Sequence, residues 1–178
     1  RMQGYGALIT WKNDEDFAKT LSANFKGEPI KNVQTFSMHP ELPSARLREW
    51  AFGGPLNYVH DIEAGDDGII YGVDMSDDRL WILDKSTNKV DSIIMPPNGL
   101  PLGGDFAGAV APLGTFASHR GPHSVVQGPD KKMYMTCSLS AEICIYDPRT
   151  KKLEFIDIGR DAVYPHTLRF DKKGVLWF

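Results

Sequence analysis

Three histidines in this chain, His60, His123 and His166, hold the same place in three similar stretches. Each is followed two places on by an aliphatic residue: Ile62, Val125 or Leu168. A polar turn comes next (Gly65 to Gly68, Gly128 to Lys131, Asp171 to Gly174), and eleven places on stands an aromatic residue: Tyr71, Tyr134 or Trp177. An unperturbed imidazole changes charge near neutral pH and serves as general base, proton donor or metal ligand. Three of them in one register are therefore the first candidates for chemistry.

Carboxylates stand near the first. If each histidine opens a strand and the hairpin turn centres near place seven, places zero and fourteen lie opposite one another. That register predicts Asp74 within hydrogen-bond reach of His60, where it would orient the ring and raise its basicity. The same count sets His123 against Cys137. Asp61, beside His60, could reach a cation, whereas the cluster Asp61, Glu63, Asp66 and Asp67 otherwise reads as a solvated turn. Against all this stands a plainer role, in which each repeated imidazole hydrogen-bonds the backbone of the next repeat and caps a strand. His39 and His119 fall outside the register and are expected in solvent.

The elements that must position these residues repeat as well. "LWILDKSTNKV" and "EICIYDPRTKKL" align, with Asp84 and Asp147 both twenty-four places after their histidine. Upstream, "LREWAFG" from Leu47 matches "LEFIDIG" from Leu153, the tail of an earlier copy. Alternating apolar residues between Gly, Pro, Asp and Asn connectors predict four short strands per copy. In the second copy these are Ser124 to Gln127, Met133 to Cys137, Ile143 to Tyr146 and Leu153 to Ile158; Ile62 to Ala64 begins the first. Asp84 and Asp147 read as turn formers, and the aromatics at place eleven as packing between blades. Four strands in about 40 residues is the length of a β-propeller blade. The fold is thus expected to be all-β, a partial propeller of about three four-stranded antiparallel blades over residues 41–178. Residues 1–40 lie outside the repeat, with a strand at "GALITWK" and a short helix at 13–25 capped by Asn13. Propellers close with at least about four blades, so a longer native polypeptide is expected.

Residues 98–117, "NGLPLGGDFAGAVAPLGTFA", are an insertion between the two complete copies. Its Leu100, Leu102, Phe106, Val110, Leu113 and Phe116 need burial, which suggests a lid over the channel or a docking surface for a protein partner.

The phrases "PHSVVQGPD", "PHTLRFDKKGVLWF" and "EICIYDPRTKKLEF" resemble the blade consensus of the streptogramin (virginiamycin B) lyases. The resemblance spans about residues 41 to 178, apart from the insertion. It implies a closed propeller and a carbon–oxygen lyase that opens a cyclic depsipeptide by elimination. It further implies Mg²⁺ or another divalent cation, a histidine base and nearby carboxylates. Carried onto this chain, it offers His60, Asp74, His123 and His166 as catalytic residues and Asp61 and Asp74 as metal ligands. The family usually has Glu where Asp74 stands. It also implies a small-molecule or peptide ligand and a periplasmic or secreted location. The competing reading is a non-catalytic propeller that serves as a binding or scaffold module in a larger extracytoplasmic assembly.

Composition narrows the field. A net charge of −3, with no Lys/Arg block, argues against a nucleic-acid partner. No apolar run approaches the roughly 18 residues of a membrane span. The two cysteines, Cys137 and Cys144, form no metal-binding or haem pattern. They are expected as half-buried thiols, diagonal neighbours on one sheet face, with a strained disulfide as the alternative.

Overall fold

The computed structural model describes residues 48–109, 116–159 and 164–178, together with residues 15, 19, 46 and 161. The chain separates into two compact units, Arg1–Glu49 and Trp50–Phe178. This boundary falls nine residues after the one expected at 40. In the first unit Glu15 and Lys19 are helical and joined by an exposed ion pair at 2.9 Å. The remainder of the expected helix, the strand at "GALITWK" and His39 lie outside the described residues.

The second unit is built of antiparallel four-stranded sheets. The first sheet comprises β1 (Val59–Ala64), β2 (Ile69–Asp74), β3 (Arg79–Asp84) and β4 (Lys89–Ile94), hydrogen-bonded in chain order. The second repeats it with β5 (Pro122–Gln127), β6 (Met133–Cys137), β7 (Glu142–Asp147) and β8 (Lys152–Asp157). A two-stranded sheet follows, the hairpin of β9 (Arg169–Phe170) and β10 (Leu176–Trp177). These are propeller blades, met in the register read from the histidines. The strands are longer than expected by a residue or more at one or both ends, except β6, and β8 is shifted back by one. Despite its match to "LEFIDIG", "LREWAFG" forms no strand at its described residues. Trp50 and Phe52 instead reach side chains of the first blade, Trp50 through Asn88 and Phe52 against Trp81 at 5.1 Å.

The blades stack through apolar layers. Tyr71, Val73 and Leu80 of the first meet Val125, Met133, Met135, Cys144 and Tyr146 of the second in one buried cluster. Ile143 and Ile145 meet Leu168 in another, flanked by Leu176. Both thiols are free and fully buried, rather than half-buried. Cys137 pairs with Glu142 and Cys144 with Met135, so the two are the diagonal neighbours expected. The hydrogen bond with Cys144, and then burial, push the Cys137 thiol well up.

Turns repeat with the strands. Tyr71 donates to Asp67 at 2.6 Å, Tyr134 to Asp130 at 3.1 Å, and Trp177 to Asp171 at 3.0 Å. The recurring aromatic therefore latches the turn of its own hairpin as well as packing. Asp84 accepts from Ser86 and Thr87, and Asp147 from the Arg149 backbone, as turn formers do. Among the described residues no helix is long and apolar enough to cross a membrane.

Candidate functional site

The histidines do converge. The ring centroids of His60 and His123 lie 3.6 Å apart, those of His123 and His166 4.0 Å, and those of His60 and His166 6.4 Å. Three successive blades thus each give one imidazole to a single cluster. With Asp61, Ser124, Thr167 and Arg169 they line a cleft of about 220 Å³.

A β-bulge sets the imidazoles there. Val59 pairs with Asp74 and Asp61 with Val73, leaving His60 as the extra residue between them. Pro122 pairs with Cys137 and Ser124 with Thr136, so His123 sits in the same irregularity. Bulges of this kind re-aim a side chain at the end of a ladder. They also overturn the expected facing pairs, because residues 74 and 137 oppose the residue before each histidine. Asp74 is fully buried and is spent on other donors. It accepts from Tyr58 N–H at 2.9 Å, the Ser76 hydroxyl at 2.6 Å and Trp81 Nε1 at 3.1 Å. Burial would raise its pKa, but the bonds from Ser76, Trp81 and Tyr58 outweigh that and hold it below the usual carboxylate range.

What His60 meets instead is backbone. Its Nδ1 lies 3.1 Å from the His123 carbonyl. A carbonyl only accepts, so Nδ1 carries the proton and Nε2 keeps the lone pair. One contact ties two blades together and fixes the tautomer that leaves a base. His123 is 3% exposed, and its Nδ1 has no hydrogen-bond partner. Burial first, then the neighbouring His60 and His166, depress its pKa to about 4. The His166 backbone and Asp61 pull weakly the other way. At neutral pH this ring is uncharged, which allows three imidazoles to pack so closely.

Asp61 is not a free ligand. It accepts from the Ser124 hydroxyl at 2.7 Å, from Val125 N–H at 3.2 Å and from Ile62 N–H at 2.9 Å. Glu63 accepts from Gln127 N–H at 3.2 Å. These carboxylates satisfy the exposed donors of β5, as an edge strand requires. Asp66 pairs with Lys131. The residues offered for Mg²⁺, Asp61 and Asp74, do not fit it. A hard cation needs several open oxygen ligands, and both carboxylates are engaged. Among the described residues no group of three or more His, Cys, Asp or Glu side chains is arranged to hold a metal ion.

Several site residues escaped the sequence reading. Asp78, 3% exposed and in the left-handed conformation (φ 55), accepts from three consecutive backbone N–H groups. These are His119 at 2.5 Å, Arg120 at 2.8 Å and Gly121 at 2.9 Å. The first blade thereby grips the segment that delivers His123. His119 is half-buried rather than exposed, with Nδ1 2.7 Å from the Leu100 carbonyl. Arg120 pairs with Glu142 and covers the Phe155 ring at 3.7 Å. Repetition does not mark these positions: the places equivalent to Asp78 and Arg120 hold Ala141 and Asn57.

The described part of the insertion is anchored. Asn98 donates to Glu142 at 3.1 Å, and Asp105 N–H to the Leu139 carbonyl at 2.7 Å. Gly104, in a 3-10 turn (Gly104–Phe106), lies so close that a Cβ would stand 2.0 Å from that carbonyl oxygen. The expected lid is therefore a fixed wall over these residues. Leu100 and Phe106 are half-buried as expected, and so is Phe116, but Leu102 is 54% exposed. Val110 and Leu113 lie outside the described residues.

No family profile matches the chain, and no curated protein does. Solved structures do match. Virginiamycin B lyase from Staphylococcus aureus superposes with a TM-score of 0.58 at 15% identity, over 76% of this chain and 39% of that one. A streptogramin B lyase structure gives 0.58 at 16% identity, over 76% and 38%. The chain is similar in fold to the streptogramin lyases. It spans less than two-fifths of their length, and at this identity the likeness is one of fold.

Proposed function

We propose that the chain binds a small molecule or peptide at the histidine cleft, with His60 Nε2 as the base that accepts a proton from it. One observation carries the reading: three blades each place an imidazole in one cleft, and the His60 Nδ1 contact leaves Nε2 basic. The bulges support it, since a strand that merely needed a cap would not require an extra residue. Thr167 and Arg169 add a hydroxyl and a cation for orienting an acceptor group, while the Ser124 proton is held by Asp61. The likeness in fold to lyases supports an elimination as the use of such a base. An extracytoplasmic location is part of the same proposal.

A second reading is favoured by the same contact. His60 joins its blade to the next through the His123 carbonyl, so the imidazoles could serve a scaffold alone. His60→Ala separates the two, with melting temperature and ligand-induced imidazole NMR shifts read on the same sample. The site reading expects a loss of about 1 kcal/mol for one part-exposed hydrogen bond, with binding abolished. Retained binding with a large loss of stability would establish the scaffold.

A further inference from the structure

Two places before each histidine stand Tyr58, Gly121 and Tyr164. At the middle blade this place is left-handed, with φ 59 at Gly121, and a side chain there would run into Leu139. Tyr164 adopts the same φ of 59. A bulky residue takes that conformation only under constraint, and such outliers gather at binding sites. Glycine would suit the backbone better, so the contacts of the ring must account for a tyrosine there.

The ring flanks the histidine cluster that lines the cleft. Tyr164 stands edge-on to His123 at 5.7 Å and lies 6.0 Å from His166. Phe106 of the insertion buttresses it edge-on at 5.6 Å. The other side mirrors this arrangement. Tyr58 stands edge-on to His60 at 5.4 Å, and Phe116, near the end of the insertion, stacks on it at 6.3 Å and 25°. Tyr58 remains 52% exposed, and beside it opens a wider cleft of about 610 Å³, bounded also by Leu56 and Ser76. The insertion thus sends one phenylalanine to each flanking tyrosine.

We infer that Tyr58 and Tyr164 are specificity residues of the cleft and recognise an uncharged aromatic ring on the ligand. This rests on the binding reading given above. Aromatic rings prefer edge-on and offset partners, and both tyrosines are held by a phenylalanine so that they can offer them. Among the residues lining the cleft the Arg169 guanidinium opposes a cationic ligand, and the Asp61 carboxylate is already engaged by Ser124 and Val125. The ring could belong to a peptide side chain or to a free small molecule.

The test is an NMR titration of the chain with three probes, read at the histidine ring protons. These are N-acetyl-phenylalaninamide, N-acetyl-leucinamide and benzyl alcohol. The phenylalanine amide should bind more tightly than the leucine amide. Benzyl alcohol matching it would mean that a free ring suffices, and much weaker binding that the peptide frame is read too. Tyr164→Gly relieves the left-handed strain, so its melting temperature should stay near that of the parent while phenylalanine-amide affinity falls about three- to tenfold. Tyr58→Leu, at an ordinary φ, should show the same loss and serves if the glycine variant does not fold. Equal binding of the two amides, or unchanged affinity in the tyrosine variants, overturns the inference and leaves the binding site standing. No shift at any imidazole with any probe removes the site itself, and the inference with it.

Discussion

Asp78 positions the segment that carries His123 without lining the cleft itself. Its buried carboxylate accepts three successive N–H groups just ahead of Pro122 and His123. Removing it strands donors that have lost access to water, at about 1–3 kcal/mol each. Asp78→Ala should therefore cost about 3 kcal/mol or more in urea unfolding. Asp78→Asn should cost far less, because Oδ1, which serves Arg120 and Gly121, is kept, and Asn tolerates the left-handed backbone. Equal losses in both variants would show that charge, and not the three-donor grip, is what matters. Nothing in the sequence around Asp78 announces it. It stands among turn residues, and its partners lie more than forty residues away. His60, His123 and His166 were legible because repetition exposed them. Asp74 was misread because a one-residue bulge, invisible in a string of letters, shifts every pairing count beyond it.

At the scale of elements, strands are easily read here and loops are not. Alternation and turn residues place the strands of the second blade to within two residues, since a ladder imposes period two on its side chains. The insertion obeys no such period, so its apolar residues suggested a lid while its glycines held the answer. Gly104 sits at φ 59 with no room for a methyl group beside Leu139. Gly104→Ala should lift the 3-10 turn from the second blade and cost about 2 kcal/mol or more, read as a lowered melting temperature. An unchanged melting temperature would mean that the insertion is not seated on Leu139. Glu63 and Asp61 teach a related lesson. A cluster of acids beside a turn looks solvated, but an adjacent edge strand with open N–H groups converts two of them into fasteners between blades.

For the whole molecule, stacking the blades turns one repeated residue into a site. A single blade would present a lone imidazole at a strand end. Two complete blades and the start of a third bring three rings into contact, and the middle one is sealed by the others. This arrangement has an electrostatic signature that can be measured. In the unfolded chain His123 should take up a proton near about pH 6.5. In the folded molecule burial and two neighbouring imidazoles defer that to about pH 4. The unfolded state therefore binds more protons across this window, and folding stability should fall as the pH drops from about 6.5 toward 4. The most direct measurement is the titration of each imidazole by NMR in the folded chain, repeated after His60→Gln. His123 should titrate near pH 4, and its pKa should rise when the His60 imidazole is removed. A His123 ring that titrates near about 6.5, indifferent to His60, would mean that the three histidines do not share one cleft.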